Sequence, residues 1–232
     1  MSLLSTSFES NLITLNRRIQ EACEAGNRSV DHVKLMAVTK RFPIEVAASA
    51  VKAGLTLLGE NRVQEGVDKI QRADFEASWE LIGHLQSNKA QLAAEHFDRI
   101  QSVDSVKLAN RLDRFSAEAG KPLPILLQVN TGKDPGKFGF SVEETEAALE
   151  KVLELSSLKV EGLMTIAPLP ARLDTAREAF DHLRNLRDAL VAKTGQSMPE
   201  LSMGMSFDLE AAIEAGSTCI RVGSGLFGER PV

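Results

Sequence analysis

The 232-residue chain contains no tyrosine, one tryptophan and two cysteines. Without a phenol, no mechanism that uses tyrosine as acid, base or nucleophile is open to it. Cys23 and Cys219 lie far apart and flank no metal-like spacing, which argues against a disulfide framework or a zinc cluster. A basic excess is also missing: 27 Lys+Arg stand against 32 Asp+Glu, a net charge of −5. Neither nucleic-acid binding nor attachment to a membrane surface is therefore expected. No stretch approaches the roughly 18 apolar residues needed to span a bilayer. The opening MSLLSTSFESNLITLNRR lacks a basic segment ahead of an apolar run, so a cytoplasmic location is expected. What is present, 43% hydrophobic and 25% charged residues, suits a globular chain with a sizeable core, as one large domain or two small ones.

Short apolar, β-branched runs alternate with longer stretches of helical period. Eight such runs predict strands: Val33–Val38, Leu55–Leu58, Trp79–Ile82, Phe97–Val103, Ile125–Val129, Val160–Ile166, Leu201–Met203 and Thr218–Val222. Between them, Ser141 and Glu144 have capping-box spacing ahead of TEAALEKVLEL. Gly26, Gly54, Gly120, Gly195 and Gly216 are positioned to end helices. Leu12, Ile13, Leu15, Ile19, Ala22 and Cys23 predict a further helix ahead of the first strand. Alternating strands and helices imply a parallel sheet, and eight units imply a closed (β/α)8 barrel of α/β class. An open, doubly wound sheet is the rival. With no linker or low-complexity tract, one barrel domain is expected over residues 1–232, with residues 1–32 as the N-terminal helix and lead-in.

A barrel places its ligand site at the C-terminal ends of its strands. The polar residues there are Thr39-Lys40, Glu60-Asn61, Gly83-His84, Ser102 and Asp104, Asn130, Thr165, Ser202 and Ser206, and Arg221 with Gly223-Ser224-Gly225. Lys40 ends VKLMAVTK, and two readings are open. It is a lysine snorkelling at a strand end, or a partly desolvated amine able to form a Schiff base with an aldehyde. Gly223-Ser224-Gly225-Leu226-Phe227-Gly228 matches G-x-G-x-x-G, but the dinucleotide motif needs a further strand and a distant acidic residue. A glycine-rich turn after the last strand fits better, either as a tight closing turn or as a backbone cradle for one phosphate, with Ser206 adding a hydroxyl.

Gly132-Lys133-Asp134-Pro135-Gly136-Lys137-Phe138 resembles a P-loop but has three residues between its glycines and Phe138 after the lysine, which excludes ATP binding on this motif. It is expected to form a mobile loop over the site. Of the four histidines, His84 alone falls at a strand end, while His32, His96 and His182 fall on helices or turns. No converging ligand set predicts a metal.

Six segments then carry a resemblance: AVTKRFP around Lys40, LGENRVQE around Asn61, WELIGHLQSNK around His84, IQSVDS around Ser102, LSMGMSFDLEAAIEAGST around Ser206, and IRVGSGLFG at the end. Together, from Val33 to Gly228, they resemble the pyridoxal 5′-phosphate homeostasis proteins, single-domain barrels similar to the N-terminal domain of alanine racemase. The resemblance implies that Lys40 carries pyridoxal 5′-phosphate (PLP) as a Schiff base and that Ser206, Gly223 and Ser224 hold its phosphate. It places Asn61 beside the ring and Arg221 at the pyridine nitrogen. An arginine there disfavours protonation of that nitrogen and weakens the ring as an electron sink, so chemistry on amino acids would be slow.

The expected function is to hold, buffer or supply PLP to dependent apo-enzymes without established turnover, and a monomer is expected by the same resemblance. The alternative is an amino-acid racemase or another PLP-dependent enzyme of low activity. Related racemases place lysine on one face and a tyrosine from a second domain on the other, and this chain has neither that tyrosine nor that domain. His84 or water would have to substitute. A third reading is a regulatory protein that keeps the cofactor as a sensor.

Overall fold

A computed structural model of the chain describes residues 3–168 and 172–229, with side chains from residue 7 onward. The ends of the expected single-domain span, residues 1–2 and 230–232, lie outside the described residues, as do residues 169–171.

Eight parallel strands close into a barrel in sequence order: β1 (Lys34–Val38), β2 (Leu57–Glu60), β3 (Ser78–Leu81), β4 (Arg99–Val103), β5 (Leu123–Gln128), β6 (Leu158–Met164), β7 (Glu200–Ser202) and β8 (Cys219–Val222). Closure is made by β1 and β8, which pair in continuous register from Lys34↔Cys219 to Ala37↔Val222. An open sheet has two free edges, so the doubly wound alternative is excluded. The helices that carry the chain back between strands are α2 (Ile44–Lys52), α3 (Val63–Arg72), α4 (Ala90–His96), α5 (Val106–Ala119), α6 (Val142–Leu153), α7 (Leu173–Thr194) and α8 (Leu209–Glu214). A long helix, α1 (Leu3–Ala25), precedes the repeat, and one turn, α9 (Ser224–Phe227), follows it.

All eight expected strands are present, with shifted ends. The second begins at Leu57 and reaches Glu60, because Leu55 belongs to the turn after Gly54 (φ 89°) and Glu60 is fully buried within the ladder. The fourth begins at Arg99, since Phe97 caps α4 and packs into the core. The Ser141–Glu144 capping box forms in both directions. Gly54, Gly120, Gly195 and Gly216 take positive φ, but at the end of α1 the left-handed residue is Asn27 (φ 50°) rather than Gly26. The expected helix α1 is present; Leu15, Ile19, Ala22 and Cys23 on it are buried, whereas Ile13 points to solvent.

Strand residues alternate between two environments, as period two requires. One set, including Leu81, Ile100, Leu163 and Ile220, packs against helix residues such as Leu112, Leu149, Phe180 and Ile213. The other set points into the barrel, where Met36, Val38, Ile82 and Cys219 form a small separate cluster. Much of the rest of that interior is polar, with Leu126 and Met164 buried among it. Ser202 on β7 bonds Gln101 on β4, and Arg99 on β4 lies 3.9 Å from Glu200 on β7; residues of strands this far apart in order can meet only across the lumen. Arg99 also pairs with Glu161 at 2.7 Å and Glu80 at 3.5 Å, and Lys34 pairs with Glu200 at 2.5 Å. Buried charges persist only when paired, and removing one partner typically costs about 3–5 kcal/mol.

Candidate functional site

Lys40 lies just past β1, and the chain turns sharply behind it. Arg41 takes a left-handed conformation, φ 63°, rare for a residue with a side chain, and Glu65 of α3 accepts its backbone N–H. Beneath this turn lies a buried charge cluster. The Lys69 ammonium donates to the Thr39 carbonyl at 2.8 Å, Glu60 Oε1 at 2.7 Å and Glu65 Oε1 at 3.0 Å, and the Thr39 hydroxyl donates to Glu60 Oε1 at 2.6 Å. Lys69 thus spends two of its three donors fixing the residues that precede Lys40 and Asn61, and the third on Glu65, which holds the Arg41 N–H. Burial raises the Glu60 carboxyl above the usual range, with Lys69 opposing.

Asn61 follows β2 and is held from the next strand. A Cβ at Gly83 would stand 2.2 Å from the Asn61 carbonyl oxygen, so only glycine permits this approach. The Ser102 hydroxyl donates to the Gly83 carbonyl at 2.7 Å. His84 meets Asp104 through Nδ1 at 2.9 Å and stacks on Phe138, with ring centroids 3.6 Å apart and planes at 9°.

Phe138 arrives on the loop formed by residues 132–138. Asn130 ties that loop down, donating to the Asp134 carbonyl at 2.8 Å and accepting its N–H at 3.1 Å, while Gln128 donates to the Phe138 carbonyl at 2.9 Å. Lys137 bonds the Ala167 carbonyl, and its pKa is lowered chiefly by burial, with Asp134 and Asp208 opposing.

Arg221 on β8 is buried and doubly anchored. Nη1 donates to Ser202 Oγ at 2.6 Å and Nη2 to the Thr165 carbonyl at 2.8 Å. Ser202 in turn donates to Gln101 at 2.6 Å, and Gln101 donates to Glu80 at 2.6 Å. Burial pulls Arg221 down from the ordinary guanidinium value, with Cys219 and Asp208 opposing.

At the last mouth segment α9 starts within the glycine motif, and the Gly225 N–H donates to Ser206 Oγ at 3.2 Å. A Cβ at Gly225 would meet that oxygen at 2.8 Å, and one at Gly223 would meet the Val38 carbonyl at 3.2 Å. Asp208 accepts the Met205 N–H at 2.6 Å and so sets the backbone that presents Ser206.

These elements enclose a cavity of about 500 Å³ whose lining includes Lys40, Asn61, His84, Ser206, Arg221, Gly223 and Ser224. Val38, Ile82, Ile166 and Met205 give it apolar walls, and Gly136, Lys137 and Phe138 bring the loop over it. All six residues assigned from the sequence to the cofactor therefore meet in one cavity. Thr39, Glu60, Ser102, Asp104, Asn130, Thr165 and Ser202 lie outside the lining and act as supports. Six wall residues went unread from sequence, Val38 and Ile82 among them as the last residues of expected strands. Gln128, a polar residue ending the apolar run ILLQV, carried a usable signal, as did Ile166 and Met205 by following strands; Phe207 carried none.

The cavity is of the size that encloses a small cofactor. The Lys40 amine at the strand mouth, with Lys137 tied to the Ala167 carbonyl, a backbone cradle with two hydroxyls, and apolar walls fit a molecule with an aldehyde, a flat ring and a phosphate. Among the described residues, no three His, Cys, Asp or Glu side chains converge as a metal site would require, and no helix is long and apolar enough to cross a membrane.

Residues 11–231 match the family model described as alanine racemase, N-terminal domain. The pyridoxal phosphate homeostasis protein of Pasteurella multocida (strain Pm70) is 38% identical over 232 residues, spanning 97% of this chain and 98% of its own. PipY of Synechococcus elongatus PCC7942, in its structure with PLP bound, is 38% identical with a TM-score of 0.81, covering 91% of this chain and 100% of its own. Alanine racemase of Clostridium difficile 630 covers 98% of this chain and 58% of its own, with a TM-score of 0.77 but 15% identity, a likeness of fold. By sequence and architecture together, the chain belongs to the alanine racemase N-terminal domain family and, within it, to the pyridoxal phosphate homeostasis proteins.

Proposed function

We propose that this chain holds pyridoxal 5′-phosphate as a Schiff base on Lys40 and buffers or supplies it to PLP-dependent apo-enzymes, without turnover of its own. The observation that carries this reading is the convergence of Lys40, Asn61, Ser206, Arg221, Gly223 and Ser224 on one cavity. In attachment, the Lys40 amine and the aldehyde condense to a C=N bond with loss of one water, and addition of one water reverses the step. Ser206, Gly223 and Ser224 hold the phosphate, and Asn61 lies beside the ring.

Arg221, which lines the same cavity, would face the pyridine nitrogen in this reading. When bound, PLP supplies an aldehyde for reversible attachment and a ring able to accept electrons, and the second property is what Arg221 weakens. A guanidinium anchored by Ser202 and Thr165 cannot give up a proton to that nitrogen at ordinary pH, so the ring stays a poor electron sink. Reversible storage is then favoured over chemistry on amino acids.

The role is played by a monomer in the cytoplasm, with the apo-enzymes as recipients. Incubating the PLP-loaded protein with an apo-enzyme that needs PLP, and following recovered activity, tests it. Recovery at the rate at which PLP leaves this protein is expected; no recovery would count against the carrier role and favour a sensor. A racemase reading keeps one foothold, since His84, paired with Asp104, lines the same cavity as Lys40. A chiral assay on alanine and serine decides it, and turnover at ordinary enzyme rates, about 1 s⁻¹ or more, would overturn the storage reading.

A further inference from the structure

The two halves of the phosphate cradle come from different parts of the chain, Ser206 from the loop before α8 and Gly223-Ser224 from the turn that opens α9. Nothing in closing an eight-stranded barrel requires α1, yet this helix reaches both halves. Arg18 forms a bidentate pair with Glu210 of α8, Nε to Oε1 at 2.6 Å and Nη2 to Oε2 at 2.9 Å. The same Nη2 donates to the Ser206 backbone carbonyl at 3.0 Å. A planar fork held by a carboxylate has little freedom left, so its grip on that carbonyl is directional. About two and three turns earlier, α1 reaches the other half. The Asn11 side-chain amide donates to the Leu226 carbonyl at 3.1 Å, and the Phe8 ring stacks on Phe227, with centroids 5.6 Å apart and planes at 6°. Phe42, two residues past Lys40, packs on that same Phe227 ring at 5.4 Å.

We propose that α1 is a clasp on the phosphate cradle, with Arg18 and Asn11 as positioning residues that hold the Ser206 loop and the α9 turn at the spacing a phosphate monoester needs. The proposal rests on the cofactor reading above and adds to it a determinant of phosphate selectivity and release. Arg18 touches the cradle through a backbone carbonyl and Asn11 through the carbonyl at the far side of α9. Both therefore act through the position of the cradle. Their loss is felt by ligands that use the cradle and is invisible to an aldehyde that does not.

Two aldehydes separate these cases: PLP, and pyridoxal, which has the same ring and aldehyde without the phosphate. Binding of each to the full chain is followed by the visible band of the Schiff base, for the wild type, Arg18→Ala, Glu210→Gln and the double variant Asn11→Ala/Arg18→Ala. The wild type is expected to prefer PLP strongly. Arg18→Ala is expected to weaken PLP about tenfold through faster release, the double variant further and Glu210→Gln less, while pyridoxal changes by less than twofold throughout. Thermal transitions of the cofactor-free proteins show whether the variants are folded. Equal weakening of both aldehydes, with the wild-type band intact, would overturn the clasp and reduce these contacts to general support of the fold. Unchanged PLP affinity in the double variant would overturn it too. A wild type that gives no band with either aldehyde would overturn the cofactor reading itself, and the clasp with it.

Discussion

Arg221 on β8 donates through Nη1 to the hydroxyl of Ser202 on β7 across 2.6 Å, with both side chains buried. The contact is the first link of a chain that continues through Gln101 to Glu80. A guanidinium only donates, so Ser202 must accept from Arg221 and pass its own proton onward, which sets the orientation of Gln101 behind it. Gln101 presents its oxygen to Ser202 and its nitrogen to Glu80. The cation at the floor of the cavity is thus held from behind by a chain of one polarity that ends in the lumenal cluster of Glu80, Arg99 and Glu161.

Breaking the first link tests this chain. Ser202→Ala leaves one Arg221 N–H and the Gln101 oxygen buried without a partner, which costs about 1–3 kcal/mol for each group left unsatisfied. Urea unfolding of the cofactor-free protein is expected to show a loss of about 2–6 kcal/mol for the two groups together. A variant as stable as the wild type would mean that the chain does not hold Arg221.

Gly83→Ala is expected to damage stability and binding together. Its new methyl would stand 2.2 Å from the Asn61 carbonyl oxygen, and backbone on both sides leaves only a shift of the Asn61 segment as relief. Overpacking of this kind costs about 1–3 kcal/mol. Chemical denaturation and PLP titration, run side by side, should both move; a stable variant with undiminished affinity would show that Asn61 does not need its present position.

The ring of Phe138 closes one side of the cavity, stacked on His84 yet 53% exposed. An aromatic pair contributes about 0.5–1.5 kcal/mol beyond its buried area. Phe138→Ala is therefore expected to lower stability by no more than about 0.5–1.5 kcal/mol and to speed PLP transfer to an apo-enzyme severalfold. Slower or unaltered transfer would remove the loop from the release path.

The fold was legible in the sequence because its signals are local. Alternating β-branched runs, glycines that stop helices and the Ser141–Glu144 box each report on a few neighbouring residues, and eight units imply closure. Lys40 and the glycine turn were legible for a similar reason: their positions after β1 and β8 place them at the mouth. Polar residues inside the barrel were not, because Glu80, Arg99 and Glu200 look like surface charges until strands far apart in sequence bring them together. The ends of β2 were misplaced on the same account, since burial of Glu60 depends on Lys69 from a helix. The Phe138–His84 stack and the docking of α1 on the cradle depend on tertiary contacts that no local pattern encodes.

Cys219 supplies a pH test that the missing tyrosines make cleaner. Burial pushes its thiol from 9.0 up to about 12, with Glu80 adding to the shift and Arg221 opposing it. Across that window the unfolded chain releases the proton and the native protein keeps it. The stability from this group is complete below pH 9.0 and is lost as pH rises toward about 12, by about 1.4 kcal/mol per pH unit. With no phenol in the chain to titrate over the same range, Cys219→Ala should show a shallower fall in urea-derived stability between about pH 9 and 11. Equal slopes would contradict the shift.

The central claim is the bond to Lys40. Borohydride reduction of the PLP-loaded protein makes that bond permanent, and peptide mass mapping then locates it. The reduced PLP mass is expected on the peptide containing Lys40, together with loss of the visible band on reduction. Lys40→Ala should unfold with the wild-type transition, because the lysine sits at the strand mouth and fills no core layer. No tag on the wild type, or a tag confined to another lysine, would contradict the account.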